Sequence, residues 1–399
     1  MLALPAGFRF AGVSCGIKTK KNTKDITLIV SDKPCSGAGV YTTNQVVAAP
    51  VVLCRTRTPS SKLRAIVVNS GNANACTGTK GLEDARRMAS LTANAIDAES
   101  DESVLVMSTG VIGRFLPLEK IESGIRDAAG KLSHSIESFH DAADGICTTD
   151  AFRKVTTRTV DLGTHGKFTI AGMAKGAGMI GPKMATMLGI VLTDAPLTSD
   201  QARRLLQKSV DRSFNCISVE GHTSTNDTVV LLASGLGLGR SPLDQDGEAA
   251  FAEQLENMCI QLAKQIPEDG EGATHLIEIQ VEGAQSDADA DKIARSVALS
   301  NLVKTAITGG DPNWGRIVSA VGYAGVPVET DRLALKLNGF QLFLEGEPIP
   351  FVAKEVSDAI KNKKETLIQL KVGLGSGKAA HWTTDLNCEY VRFNSEYTT

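Results

Sequence analysis

The sequence predicts a mixed α/β or α+β protein with many strands. Two observations carry that prediction. Short β-branched, apolar runs recur between turn residues in both halves of the chain, and stretches with helical apolar spacing alternate with them. A third observation narrows it: no repeat of about 20–50 residues points to a solenoid. At roughly 100–200 residues per domain, 399 residues allow two or more lobes or one large α/β unit.

Strands are expected at 25–30, 46–53 and 65–71, each β-branched and bounded by turn residues. A helix follows over 82–96, because Leu82, Ala85, Ala89, Thr92 and Ile96 share one face. A strand at 103–107 runs straight into Ser108-Thr109-Gly110, and a helix covers 117–129. Past residue 186 comes a strand at 188–192, then a helix opened by Leu197-Thr198-Ser199-Asp200 and running through Ser209. Thr198 or Ser199 is its N-cap, since either hydroxyl can accept from a free first-turn amide. Strands at 228–233 and 275–281 flank a helix around 247–265. One helix is expected from 288 to about 305, a strand pair at 333–337 and 341–344, and a last strand near 367–372. No Pro/Ser-rich linker divides the chain, and the one natural division point is the Gly-rich stretch before Thr186.

Composition excludes several classes. Hydrophobic residues at 42% and charged residues at 22% suit a soluble protein with a real core. A net charge of -3 is too small to indicate nucleic acid or an anionic membrane. There is no charged–apolar–small leader and no run of about 18 apolar residues, so a cytosolic protein is expected. The eight cysteines form no C-x-x-C and the six histidines are isolated, so no metal site is expected.

Four stretches invite a chemical reading. Gly12-Val13-Ser14-Cys15-Gly16 matches G-x-S-x-G, but the basic, turn-like Ile17-Lys18-Thr19-Lys20 follows it where a helix should open. Gly373-Leu374-Gly375-Ser376-Gly377-Lys378 fails the phosphate-loop spacing at Val372 and Ala379, and reads as a turn between strands. Asn69-Ser70-Gly71-Asn72-Ala73-Asn74 ends a buried-looking strand, where α/β proteins place sites and where turns are equally at home. Ser108-Thr109-Gly110 also leaves a strand, and a Thr hydroxyl beside a Gly amide supplies two donors aimed at one point, as an oxyanion hole requires.

The fifth is the most informative. Residues 173–188 are rich in Gly and Met and carry Ala185-Thr186 into an apolar run. A threonine hydroxyl is a weak nucleophile without a base beside it. An N-terminal threonine has one in its own α-amine, with a pKa of about 8. A mid-chain threonine becomes N-terminal only by cleavage of the bond before it.

This segment resembles the processing and catalytic segment of the ornithine acetyltransferase family, the glutamate N-acetyltransferases of arginine biosynthesis. The likeness extends over the chain. It includes Gly7-Phe8-Arg9-Phe10-Ala11-Gly12-Val13, Val67–Gly78 around Asn69-Ser70-Gly71, Ser108-Thr109-Gly110-Val111-Ile112-Gly113 and Thr148-Thr149-Asp150. Further blocks are Ser224-Thr225-Asn226-Asp227-Thr228, Asp269-Gly270-Glu271-Gly272-Ala273-Thr274 and Asn313-Trp314-Gly315-Arg316-Ile317. The resemblance implies a mixed α/β sandwich made by self-cleavage between Ala185 and Thr186. Chains 1–185 (alpha) and 186–399 (beta) would share one fold and assemble as α2β2. Thr186 would take acetyl from N-acetylornithine and pass it to glutamate by a ping-pong route, with Thr109 and Gly110 as the oxyanion hole. Thr149, Lys175, Thr186, Glu271, Asn394 and Thr399 match the substrate-binding positions. No metal or organic cofactor is implied, and acetyl-CoA is an alternative donor.

A zwitterionic amino-acid derivative fits such a set, because Lys175 offers a cation and Glu271 an anion; which meets which end stays open. The rival readings are an amidohydrolase or aminopeptidase using the same threonine, and a non-catalytic amino-acid-binding paralogue. One departure stands out: the family carries Asp-Gly-Asp before Thr-Ser-Thr-Asn-Asp, and this chain has Glu220-Gly221-His222.

Overall fold

Residues 3–20, 22–181, 187–237 and 242–396 are described by the computed structural model. In chain order the first half contains β1 (Phe8–Val13), β2 (Ile26–Tyr41), α1 (Ala49–Arg57), β3 (Ser60–Asn72), α2 (Gly78–Ala95), β4 (Val104–Val111), α3 (Leu118–Gly130), α4 (Ile136–Ile146), β5 (Lys154–Asp161) and β6 (Lys167–Lys175). The second half begins with β7 (Leu188–Thr193), α5 (Ser199–Asp211), β8 (Ile217–Ser218), β9 (Thr228–Ala233), α6 (Gln245–Glu268), β10 (Leu276–Ala284), α7 (Asp287–Ala298), α8 (Asn301–Gly309) and α9 (Trp314–Gly322). It ends with β11 (Ala334–Leu337), β12 (Phe340–Leu344), β13 (Glu347–Pro348), α10 (Ala353–Lys361), β14 (Glu365–Lys371), β15 (Gly377–Thr384) and α11 (Cys388–Glu396).

The strands form two sheets, so the fold is mixed α/β. The first has the order β4-β3-β2-β9-β7-β6-β5, with β1 paired to β2 off this path. The second runs β13-β12-β11-β14-β10-β15-β8. Both faces of the first sheet are covered. Side chains of a strand alternate between faces, and β9 makes this explicit. Val230 and Leu232 join a core with Phe139 of α4. Val229 and Leu231 join another with Leu205 of α5 and Phe251 and Leu262 of α6. That second core also takes Leu276 of β10 and Trp382 of β15, so α5 and α6 link the two sheets. The outer face of the second sheet is closed by Ile293, Ile307, Val321 and Ile360 from α7 to α10. Among the described residues no helix is long and apolar enough to cross a membrane.

Three expectations need correction. The run 46–53 is not a strand; its second part opens α1, with Pro50 in the first turn. A short apolar run is ambiguous by periodicity, and a proline costs nothing at a helix start, where its missing N–H would have no partner. The helix expected over 288–305 is two, α7 and α8, because Ser300 caps a new start by accepting from the Val303 amide. The strand at 365–371 is not the last, since β15 and α11 follow it. Elsewhere the finer detail resolves. Thr198 caps α5 in a reciprocal capping box with Gln201. Residues 373–376 are a turn between β14 and β15. After Gly12 no helix opens: Asp25 instead accepts from the amides of Cys15, Gly16, Ile17 and Lys18.

Candidate active site

The site starts where two parallel strands end together. β3 and β4 pair so that Gly71 lies opposite Gly110. Gly110 has φ +129, and a Cβ there would sit 2.3 Å from the Gly71 carbonyl carbon. Only glycine allows this approach, which fixes the backbone next to Thr109 in the last stretch of pairing between β3 and β4. Asn226 locks the arrangement by donating its Nδ2 to the Ala73 carbonyl at 2.7 Å and the Ser108 carbonyl at 2.9 Å.

Charge is added from two further elements. Lys175, the last residue of β6, is 2% exposed, and its Nζ donates to Thr109 Oγ1 at 3.2 Å. The Thr109 hydroxyl therefore accepts from Lys175 and keeps its own proton to donate into the pocket. Burial lowers the Lys175 pKa, and the nearby Asp150 charge opposes that. Glu271 lies in the loop after α6, where its amide donates to the Ala177 carbonyl at 2.9 Å. Its Oε1 accepts from Thr149 Oγ1 at 2.9 Å and its Oε2 from Asn394 Nδ2 of α11 at 3.1 Å. Thr109, Gly110, Thr149, Lys175, Glu271 and Asn394 all line one pocket, together with Ala73, Ile112, Gly178, Ser224, Thr225 and Asn226. Ala185, Thr186 and Thr399 lie outside the described residues.

Behind the pocket is a buried ion cluster that sequence reasoning missed. Lys154 Nζ pairs with Asp150 Oδ1 at 2.7 Å and with Asp269, and all three side chains are at most 4% exposed. Asp150 also accepts from the Gly176 amide at 2.7 Å, and Asp269 from the Ala151 amide at 3.0 Å. The cluster thus ties the loop carrying Thr149, the end of β6 carrying Lys175, and the loop carrying Glu271. Burial alone would raise the Asp150 pKa, but the Lys154 and Lys175 charges and the Gly176 amide bring it to about 2. Asp227 was missed as well. Its Oδ1 accepts from the Met187 amide at 2.9 Å, and burial lifts it to about 7 despite that bond. The Met187 nitrogen is bonded covalently to the Thr186 carbonyl carbon, so Asp227 anchors the chain one peptide after Thr186. Asp150, Asp227 and Asp269 all stand inside blocks that carried the family resemblance, but nothing in their spacing announced a role. Lys154 had no sequence signal.

The ArgJ family model matches residues 9–399. The chain is 51% identical to the arginine biosynthesis bifunctional protein ArgJ of Rhodopirellula baltica, over 99% of this chain and 96% of that protein. It is 47% identical to the protein of that name from Symbiobacterium thermophilum, over 99% and 98%. A crystal structure of the arginine biosynthesis bifunctional protein argJ from Bacillus halodurans matches with 40% identity and a TM-score of 0.51. The match covers 53% of this chain and 100% of that one.

Proposed function

Because the chain belongs to the ArgJ family, we propose that it transfers acetyl from N2-acetyl-L-ornithine to L-glutamate in arginine biosynthesis. The carrying observation is the convergence of Thr109, Gly110, Lys175 and Glu271 on one pocket, reached from three separate places in the fold: β4, the end of β6 and the loop after α6. In this reading the chain cuts itself between Ala185 and Thr186. Thr186 attacks the acetyl carbonyl while its amine takes the proton. The Thr109 hydroxyl and Gly110 amide hold the oxyanion, Lys175 meets the substrate carboxylate, and Glu271, oriented by Thr149 and Asn394, meets an ammonium. Ornithine leaves, glutamate enters and the acetyl passes to its amine, with no cofactor. Thr399 contributes to substrate binding.

Two facts support the cut. β6 and β7 pair from Ile170↔Thr193 to Lys175↔Leu188, so the fragments would stay joined within one sheet. The other is a length: residues 186–399 number 399 − 185 = 214, about the 53% of this chain that spans the whole Bacillus halodurans chain. The cytoplasm and an α2β2 assembly belong to the same proposal.

The test is direct. Purified protein given N-acetylornithine alone should carry an acetyl group on the 186–399 chain by mass spectrometry, and adding glutamate should discharge it as N-acetylglutamate. Acetyl appearing only as free acetate would make it a hydrolase. Substituting acetyl-CoA for acetylornithine tells a one-donor enzyme from a two-donor one.

Two substitutions probe the pocket. Thr109→Ala removes one oxyanion donor and is expected to lower kcat by about 10²–10³-fold with a smaller change in KM. A processed variant with unchanged kcat would assign Thr109 to turn structure. Gly178→Ala places a Cβ 2.3 Å from the Glu271 carboxylate, which Thr149 and Asn394 hold in place. Displacing Glu271 should raise both KM values by about tenfold, the scale of one hydrogen bond to a charged group. Wild-type KM values would mean that Glu271 has room to move.

A further inference from the structure

Among the described residues, the apolar side chains that line the pocket are Ala73, Ile112 and Met179; glycines apart, the rest of its wall is hydroxyls, amides and the Lys175 and Glu271 charges. An acetylated amino acid offers two kinds of group to such a wall. Its amino-acid part carries charges and calls for charges and hydrogen bonds. Its acyl methyl has no polar atom and gains from leaving water only against apolar atoms. Apolar side chains beside the oxyanion donors therefore have a specific occupant.

The three side chains divide between the two ends of the site. Met179 follows Gly178, where a Cβ would sit 2.3 Å from the Glu271 carboxylate, so Met179 stands at the charged end. Ala73 stands at the other. Its carbonyl accepts from Asn226 Nδ2 at 2.7 Å, and the same nitrogen reaches the Ser108 carbonyl, next to Thr109, at 2.9 Å. Ile112 comes two residues after Gly110 and packs on a cluster of Ala48, Ala73 and Ala75. In an acyl group the methyl carbon is about 1.5 Å from the carbonyl carbon, whose oxygen is about 1.2 Å away. With that oxygen held by Thr109 and Gly110, the methyl stays beside the oxyanion hole, where Ala73 and Ile112 supply the apolar wall.

That wall is stiff. The Ala73 amide donates to the Val111 carbonyl at 2.9 Å and the Gly113 amide to the Ala75 carbonyl at 3.0 Å, so the backbone is fixed on both sides of Ile112. Asn72 Nδ2 braces the same turn through the Arg114 carbonyl at 3.2 Å and the Phe115 carbonyl at 3.0 Å. Ala48, Ala73 and Ala75 are at most 3% exposed. Close-packed alanines behind Ile112 leave it little space to retreat before a longer chain.

We propose that Ala73 and Ile112 form the acyl pocket of this site, and that Ile112 sets the length of acyl group it accepts, favouring acetyl over longer chains. The assignment rests on the acetyl-transfer reading above. A propionyl group would press its extra carbon against Ile112.

The test compares N2-acetylornithine with N2-propionylornithine on the processed enzyme. It reads the acyl adduct on the 186–399 chain by mass spectrometry and kcat/KM with glutamate as acceptor. The wild type should favour acetyl by about tenfold or more, the lower end of what one methylene is worth in an apolar pocket. Ile112→Ala should move the propionyl-to-acetyl ratio toward propionyl by about tenfold or more. Ile112→Val should move it less, in the same direction, and serves if the alanine variant folds poorly. KM for glutamate should stay within about twofold, because glutamate enters after the acyl group is already on Thr186. A general loosening of the site would raise that KM and leave the ratio alone. Met179→Ala is the counterpart, expected to raise KM without moving the ratio. A wild type that takes propionyl as readily as acetyl overturns the assignment. So does an unmoved ratio in both Ile112 variants, or a Met179→Ala enzyme whose ratio moves as far as that of Ile112→Ala. If acetylornithine leaves no acetyl adduct on the wild type at all, the acetyl-transfer reading itself fails, which is a separate outcome.

Discussion

Thr186→Ala is expected to give a single uncut chain with no acetyl transfer, the largest change of activity any one substitution here should cause. The hydroxyl is required twice in the proposed chemistry. It first attacks the Ala185 carbonyl, moving that acyl group from nitrogen to oxygen so that water can release it. It then attacks the acetyl donor, once the freed amine stands beside it as a base. Alanine removes both steps, whereas most of the fold is independent of the cut: β6 and β7 already pair on either side of it. The variant should therefore fold, bind acetylornithine weakly or not at all, and run as one band under denaturing conditions. Thr186→Ser retains a hydroxyl and should cut, more slowly. Intact mass and N-terminal sequencing read the result. If Thr186→Ala were cut at the same bond, another group would be the nucleophile.

How much of this was legible in the sequence depends on what each residue packs against. β7 and β9 were plain because Leu188–Thr193 and Thr228–Ala233 are buried on both faces and so read as continuous apolar runs. β15 was not, since Lys378, His381 and the threonines break any apolar pattern; its burial comes from β10 and α7 folding against it. Residues 46–53 misled because Val and Ala runs fit either structure, and α1 is decided by its packing between β4 and α2. The pocket residues were found through long family motifs, not through periodicity. By spacing alone, Lys175 and Glu271 are lone charges. What no motif conveyed was the second layer. Lys154 binds two acids, Asp150 four residues before it and Asp269 115 residues after it, a partnership visible only once β5 and the end of α6 meet.

That second layer should also dominate stability. Lys154→Met removes the cation that pairs with both Asp150 and Asp269 and leaves two buried carboxylates without that shared partner. Breaking a buried ion pair on one side typically costs about 3–5 kcal/mol, because the orphaned charge remains buried. The loss is best measured by urea unfolding of the uncut Thr186→Ala chain, where unfolding does not separate two fragments. Adding Asp150→Asn and Asp269→Asn to Lys154→Met removes the charges together, keeps acceptors for the Gly176 and Ala151 amides, and should recover most of the stability. The pH dependence carries the sign. With Asp150 at about 2, below its unfolded value near 3.9, its contribution is complete above pH of about 4 and is lost as pH falls toward 2. The triple variant should lack that acid-side loss. A Lys154→Met chain as stable as its parent would mean that water or a rearranged side chain reaches the two acids, and that the loops carrying Thr149 and Glu271 are held by packing alone.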